Sequence, residues 1–193
     1  IAELTTLLQK SDGIGISGAN ENSTSVLNHY SKTTKLRVIH SSETKQSVSK
    51  SKKMTGKSET IRSLFLKPHF LIHMTHASKG DLFATAKKTR GIVICPRANA
   101  SLAEGIPDIE LMQKAGCTLA LGTDNVMINS PDMFREMDFL WKVTMGLHKK
   151  RISPKEILKM ATVNGGKILK KNIGIIGTGK IADCIFLDKH ALD

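Results

Sequence analysis

Gly91-Ile92-Val93-Ile94-Cys95 is a short, continuously apolar run that ends on Pro96 and Arg97. Pro107-Asp108 then opens a helical pattern through Ile109, Leu111 and Met112, which Gly116 closes. Thr118-Leu119-Ala120-Leu121-Gly122 follows, and Thr123-Asp124 ends it. Runs this short, apolar on both faces and separated by a capped helix, predict parallel strands joined by a helical crossover. This one unit sets the fold class, because parallel strands need such crossovers and antiparallel ones do not.

The same alternation extends outward. Ile14-Gly15-Ile16, Leu36 to His40 and Phe70 to His73 read as three earlier strands. Helical spacing is expected over Asn22–Tyr30, Asp81–Lys88 and Met133–Lys149, and Ser153-Pro154-Lys155-Glu156 is a strong helix start. Repeated βαβ units allow an open doubly wound sheet or a barrel. A (β/α)8 barrel needs eight units and about 250 residues. Five units precede residue 150, so the expectation is an α/β chain forming the later part of a TIM-like barrel, with a five-stranded open sheet as the competing architecture.

Composition narrows the class. The 193 residues are 40% hydrophobic and 24% charged, enough to bury a core rather than remain disordered. No apolar run reaches bilayer length, so no membrane partner is expected. Cys95, Cys117 and Cys184 lie far apart with no Cys-x-x-Cys, which excludes zinc ribbons and favours a reducing, cytoplasmic setting. Cys117 and Cys184 read as buried small hydrophobes. The net charge of +12 invites nucleic acid as a partner, with Lys45 to Lys67 the richest stretch. That stretch has a single aromatic residue, Phe65, and no series of aromatic residues to stack on bases, so a solvated helix and loop is the favoured reading. His148-Lys149-Lys150-Arg151 sits where a helix should end, and cations there complement the helix dipole.

Polar residues collect at the strand ends. His40 closes the second strand and Glu43 follows it; His73 closes the third; Asn99 follows the fourth; Asp124 follows the fifth. Parallel strands deliver all their C-termini to one face, so these groups should converge. Two imidazoles and a carboxylate suit zinc or iron, and Glu43 and Asp124 could move protons. His29, His69, His76, His148 and His190 lack such placement and read as surface or structural residues.

These residues also carry a family resemblance. Val38-Ile39-His40-Ser41-Ser42-Glu43-Thr44 resembles the fifth-strand motif of the amidohydrolase superfamily, in its deaminase and chlorohydrolase branch. Leu71-Ile72-His73-Met74-Thr75-His76 resembles the sixth, Cys95-Pro96-Arg97-Ala98-Asn99-Ala100 the seventh, and Leu119-Ala120-Leu121-Gly122-Thr123-Asp124 the eighth. Gly179-Lys180-Ile181-Ala182-Asp183 is similar to the return into a small β-sandwich. The resemblance implies His40 and Asp124 as metal ligands, and His73 as a further ligand or, in this branch, rather as a group that orients and polarises the substrate or water. It implies Asp124 as the acceptor of the water's proton, Glu43 as the group that protonates a substrate ring nitrogen, and Asn99 as a pocket residue. It implies hydrolysis of a C–N bond in a small cyclic amine, with release of ammonia.

One feature of the family is missing: no His-x-His pair occurs in the sequence. The expectation is therefore a fragment, inactive alone, with residues 1–170 forming a partial barrel and 171–193 beginning the sandwich. Its partner would be a small-molecule substrate, and open sheet edges favour self-association. A dechlorinating or ring-opening hydrolase, a basic RNA-binding module and a catalytically dead relic are the rivals. Two glycine-rich stretches are decoys. Gly13-Ile14-Gly15-Ile16-Ser17-Gly18 lacks the strand-then-helix setting of a dinucleotide site, and Gly174 to Lys180 lacks the Ser or Thr of a P-loop.

Overall fold

A computed structural model describes residues 2–148 and 152–188. The part of the basic cluster at Lys149–Arg151, His190 and the last residues of the 171–193 segment lie outside the described residues. The order is α1 (Ala2–Gln9), β1 (Gly13–Ile16), α2 (Thr24–Tyr30), β2 (Leu36–Ser41), α3 (Lys45–Thr55) and α4 (Glu59–Ser63). Then follow β3 (Phe70–His73), α5 (Lys79–Lys88), β4 (Ile92–Ile94), α6 (Pro96–Ser101), α7 (Ile109–Lys114) and β5 (Leu119–Leu121). Three more helices follow: α8 (Met133–His148), α9 (Pro154–Ala161) and α10 (Val163–Leu169).

The five strands form one sheet in the order β1-β2-β3-β4-β5, every neighbouring pair parallel. A doubly wound sheet reverses strand order at a switch point. This sheet never reverses, which is the progression of a barrel wall. The two faces also differ. Ile39, Leu71, Ile92, Ile94, Leu119 and Leu121 point into the main core, together with Leu27, Leu82, Ile109, Met112 and Leu140 from the helices. Alternate residues Leu36, Val38, Phe70, Ile72, Val93 and Ala120 form a second, smaller cluster on the opposite face. That face is the lumen of the arc. Ile168 of α10 plugs its lower end, with Asn164 Nδ2 donating to Leu119 O and Arg90 Nη1 to Ile168 O.

The strands begin and end within a residue or two of the sequence expectation, and so do most helices. The segment read as helix and loop resolves into α3 and α4, capped by Thr44 and Ser58. Residues 172–188 contain no strand; they form turns, with Ile181 N donating to Asn172 O. Cys184 is accordingly exposed, against the expectation of a buried residue; Cys117 is buried. No helix among the described residues is long and apolar enough to cross a membrane.

Candidate metal centre

The C-terminal strand ends gather the predicted groups. In β2 the alternation that buries Ile39 turns His40 toward the lumen, leaving it half-buried. The chain then turns at Ser42, whose φ is 50°. A buried polar network holds this turn. Glu59 accepts from Ser42 N at 2.9 Å and Ser47 Oγ at 2.7 Å, while Ser42 Oγ meets Thr60 Oγ1 at 2.8 Å. Arg62 anchors the other side, donating to Asn20 Oδ1 and to the carbonyls of Ala19 and Asn22. Glu43 emerges from this turn above the strand ends.

His73 by strand alternation would follow Leu71 into the helix-covered core. A φ of 68°, followed by 58° at Met74, breaks the pleat and redirects the ring. Asp124 sits at φ 59° after β5. Four non-glycine residues at positive φ thus stand on the strand ends. Such conformations cost about 1–3 kcal/mol each and persist only where surrounding structure enforces them. Part of that enforcement is visible in hydrogen bonds from Met74 N to Ser41 O and from His76 N to Ser42 O.

The resulting geometry is tight. His73 Nε2 lies 3.2 Å from Glu43 Oε1 and 3.9 Å from Asp124 Oδ2. His40 Nδ1 lies 4.0 Å from Glu43 Oε2, and the two imidazole rings meet edge-on at 4.9 Å. Asn99, fully buried, places Oδ1 3.4 Å from His73 Nδ1. With Nδ1–H donating to Asn99, the lone pair of Nε2 faces the carboxylates. His73 is 1% exposed and its Nε2 makes no aligned hydrogen bond; the Glu43 contact is close but off-axis. An unpartnered, buried lone pair is costly in a protein and is what a metal ligand offers. The donor atoms of His40, Glu43 and His73 all lie within 4.8 Å of one another, as do those of His73, Cys95 and Asp124. The nitrogen and oxygen donors suit a borderline divalent cation such as zinc.

Burial shapes the electrostatics. It pushes His73 down to about 4, with the neighbouring His40 adding to the shift, so the ring is neutral at pH 7. His40 is lowered for the same reason, against the opposing pull of Asp124. Glu43 is pushed up to about 8, first by desolvation and then by a hydrogen bond and charge repulsion from Glu104. A neutral imidazole and a proton-holding carboxyl therefore face each other.

All the predicted site residues come together: His40, Glu43, His73 and Asp124 directly, and Asn99 behind His73. Three participants were not foreseen. Cys95 lines the lumen beside His73 and Asp124, and Gly122 admits it: a Cβ there would stand 3.3 Å from Cys95 Sγ and 2.9 Å from Val93 Cγ1. The position of Cys95 at a strand end was a usable signal. Glu104 and Glu59 carried none, since each reaches the site from a loop or helix whose fold decides its direction. His76 is structural, its Nε2 2.5 Å from Glu104 O, and His69 Nδ1 accepts from Arg37 N.

Comparison with known proteins accords with this geometry. Residues 14–193 match the model of the Amidohydrolase family. A provisionally named aminohydrolase of Methanothermobacter thermautotrophicus is 37% identical over 191 residues, covering 97% of this chain and 49% of that protein. A 5-methylthioadenosine/S-adenosylhomocysteine deaminase of Thermococcus sibiricus is 37% identical over 167 residues, covering 81% of this chain and 38% of that one. The crystal structure of an adenosine deaminase from Xanthomonas campestris with bound zinc superposes with a TM-score of 0.78 at 24% identity, covering 88% of this chain and 41% of that chain. The chain spans at most about half the length of these relatives.

Proposed function

This chain belongs to the amidohydrolase family, and on that premise we propose that it is part of a metal-dependent deaminase acting on a purine nucleoside or a related cyclic amine. The observation that carries the reading is the convergence of His40, Glu43, His73 and Asp124 around the buried, unpartnered Nε2 of His73. The deaminase names among the relatives support the reaction class.

His40, His73 and Asp124 would hold the metal, zinc before iron. A divalent cation so bound lowers the pKa of water and makes hydroxide available near neutral pH. The protein's own groups do the rest. Asn99 fixes the ring of His73 through Nδ1. Asp124 Oδ1 is engaged by Asn125 N at 2.8 Å, which leaves Oδ2 to take a proton from the attacking water. Glu43 holds a proton on its carboxyl at neutral pH and would deliver it to the substrate ring nitrogen; Asp124 would pass the water's proton to the amine, which leaves the tetrahedral carbon as ammonia, and the remaining hydroxyl proton restores Glu43. The sequence holds no His-x-His pair to complete the ligand set, so this chain alone would bind metal weakly and would not turn over. Residues 171–193 read as the first stretch of the accompanying sandwich.

Cobalt(II) titration followed by absorbance tests the site. One equivalent should bind to the wild-type chain and fail to bind to H73A or D124A. Equal binding by wild type and both variants would overturn the assignment. Ammonia release from adenosine, 5-methylthioadenosine or guanine by the unaccompanied chain would overturn the statement that it is incomplete.

A further inference from the structure

The lysine-rich helix α3 is not simply a solvated face. Lys45, Ser49, Lys52 and Lys53 recur at i, i+4, i+7 and i+8, which aligns them on one side of the helix. That side lines a groove of about 620 Å³ that runs between α3 and the start of α5, where His76 also contributes. None of the ion pairs among the described residues involves Lys45, Lys52 or Lys53. The one carboxylate in the groove, Asp81, is 5% exposed. Its oxygens are taken by the hydroxyls of Ser58 and Ser78 and by Ser78 N. By contrast Lys57, just past the end of α3, places its ammonium 5.1 Å from the centre of the Phe65 ring.

A concave wall with three uncompensated ammonium groups and the hydroxyl of Ser49 has the chemistry of a phosphate site, where lysines act as point charges. Its volume falls in the range of small-ligand clefts, about 300–1,000 Å³. It offers no aromatic face except an imidazole, so it provides neither the stacking platform nor the long track that single-stranded nucleic acid requires. We propose that the groove between α3 and α5 binds the phosphate groups of a small phosphorylated molecule, with adjacent charges as in a nucleotide diphosphate or triphosphate. The groove opens beside His76, three residues past His73, and so lies at the strand-end side of the sheet. It stands apart from the hydrolytic reading, because binding is measured without turnover.

Calorimetric titration with inorganic pyrophosphate at fixed ionic strength tests this. The wild-type chain should show one saturable site. The triple variant K45Q/K52Q/K53Q, altered only at exposed positions, should bind at least about tenfold more weakly, a change of about 1.4 kcal/mol. K50Q, on another face of the same helix, should bind as wild type does, and circular dichroism should be the same for all three proteins. Three results would each overturn the proposal. One is no saturable binding, and a second is an equal loss in K50Q. The third is pyrophosphate failing to displace an RNA oligonucleotide that binds through these lysines.

Discussion

Glu43 and His73 pull the stability of the metal-free chain in opposite directions as pH changes. His73 has its pKa depressed to about 4 from 6.5, so its contribution is present above 6.5 and is lost as pH falls toward 4. Glu43 is raised from 4.5 to about 8, so its contribution is present below 4.5 and is lost as pH rises through 8. Between 4.5 and 6.5 the two slopes oppose each other; from 6.5 to 8 only that of Glu43 acts. The melting temperature of the metal-free chain should therefore fall over that upper interval. E43Q should flatten the fall, and an equal fall in E43Q would place its source elsewhere. The thiols give a second check at this scale. Burial raises Cys95, and pushes Cys117 up to about 11, so both remain protonated and shielded near neutral pH. Cys184 is exposed, and Ellman's reagent should modify one thiol rapidly and the other two only on unfolding. Rapid labelling of all three in the native chain would contradict the placement of β4 and the α7–β5 connection.

Helix α8 shows how an element can be legible in outline and hidden in detail. Its apolar period marks Met133 to His148 plainly, but that period says nothing of the role of Glu136. It is fully buried. Arg97, from the start of α6, meets it with Nη1 3.3 Å from Oε1 and a backbone N–H 3.4 Å from Oε2, and also donates to Ser130 O. Burial raises the Glu136 carboxyl while Arg97 opposes the shift. The pair clamps α8 and the segment after Asp124 against the fourth strand end. Removing one partner strands the other charge, so R97A should lose about 3–5 kcal/mol in urea unfolding. R97M/E136L, which removes both charges, should recover most of the loss; a double variant as unstable as R97A would show that packing rather than charge fixes the clamp. The same contrast explains what could be read beforehand. Strands two to five announced themselves because parallel strands are apolar on both faces. The helix α3 was legible only as part of a helix-and-loop stretch without bounds, since its lysines carry no apolar stripe and only its Thr44 cap and Gly56 terminus delimit it. The site residues with a strand-end address, His40, His73 and Asp124, were legible. Glu59, Glu104 and Arg97 were not, because their direction depends on backbone turns that periodicity does not encode.

Across the whole molecule, a barrel wall of five strands leaves apolar surface that a closed barrel would cover. Among the described residues β1 pairs only with β2 and β5 only with β4, so both outer edges carry unpaired backbone groups. The lumen face is closed below by Ile168 but is only partly buried at Leu36, Val38, Ile72 and Val93. Beyond α10 the chain runs through bends and turns, with Ile176 and Phe186 each 95% exposed and Ile185 71% exposed. Apolar edges and segments of this kind seek a strand or a second apolar surface. The high positive charge opposes association at long range, but it is screened beyond about 8 Å at physiological salt, where apolar contact prevails. Sedimentation velocity on the chain should accordingly show weight-average mass rising with protein concentration, and rising further with added salt. I176K/F186K should reduce that rise without changing the far-ultraviolet spectrum, since neither side chain packs against the core. A chain that stays monomeric at every concentration and salt level would mean that the open edges and the exposed tail are already satisfied within one molecule, and the five-stranded arc would then be a closed folding unit in its own right.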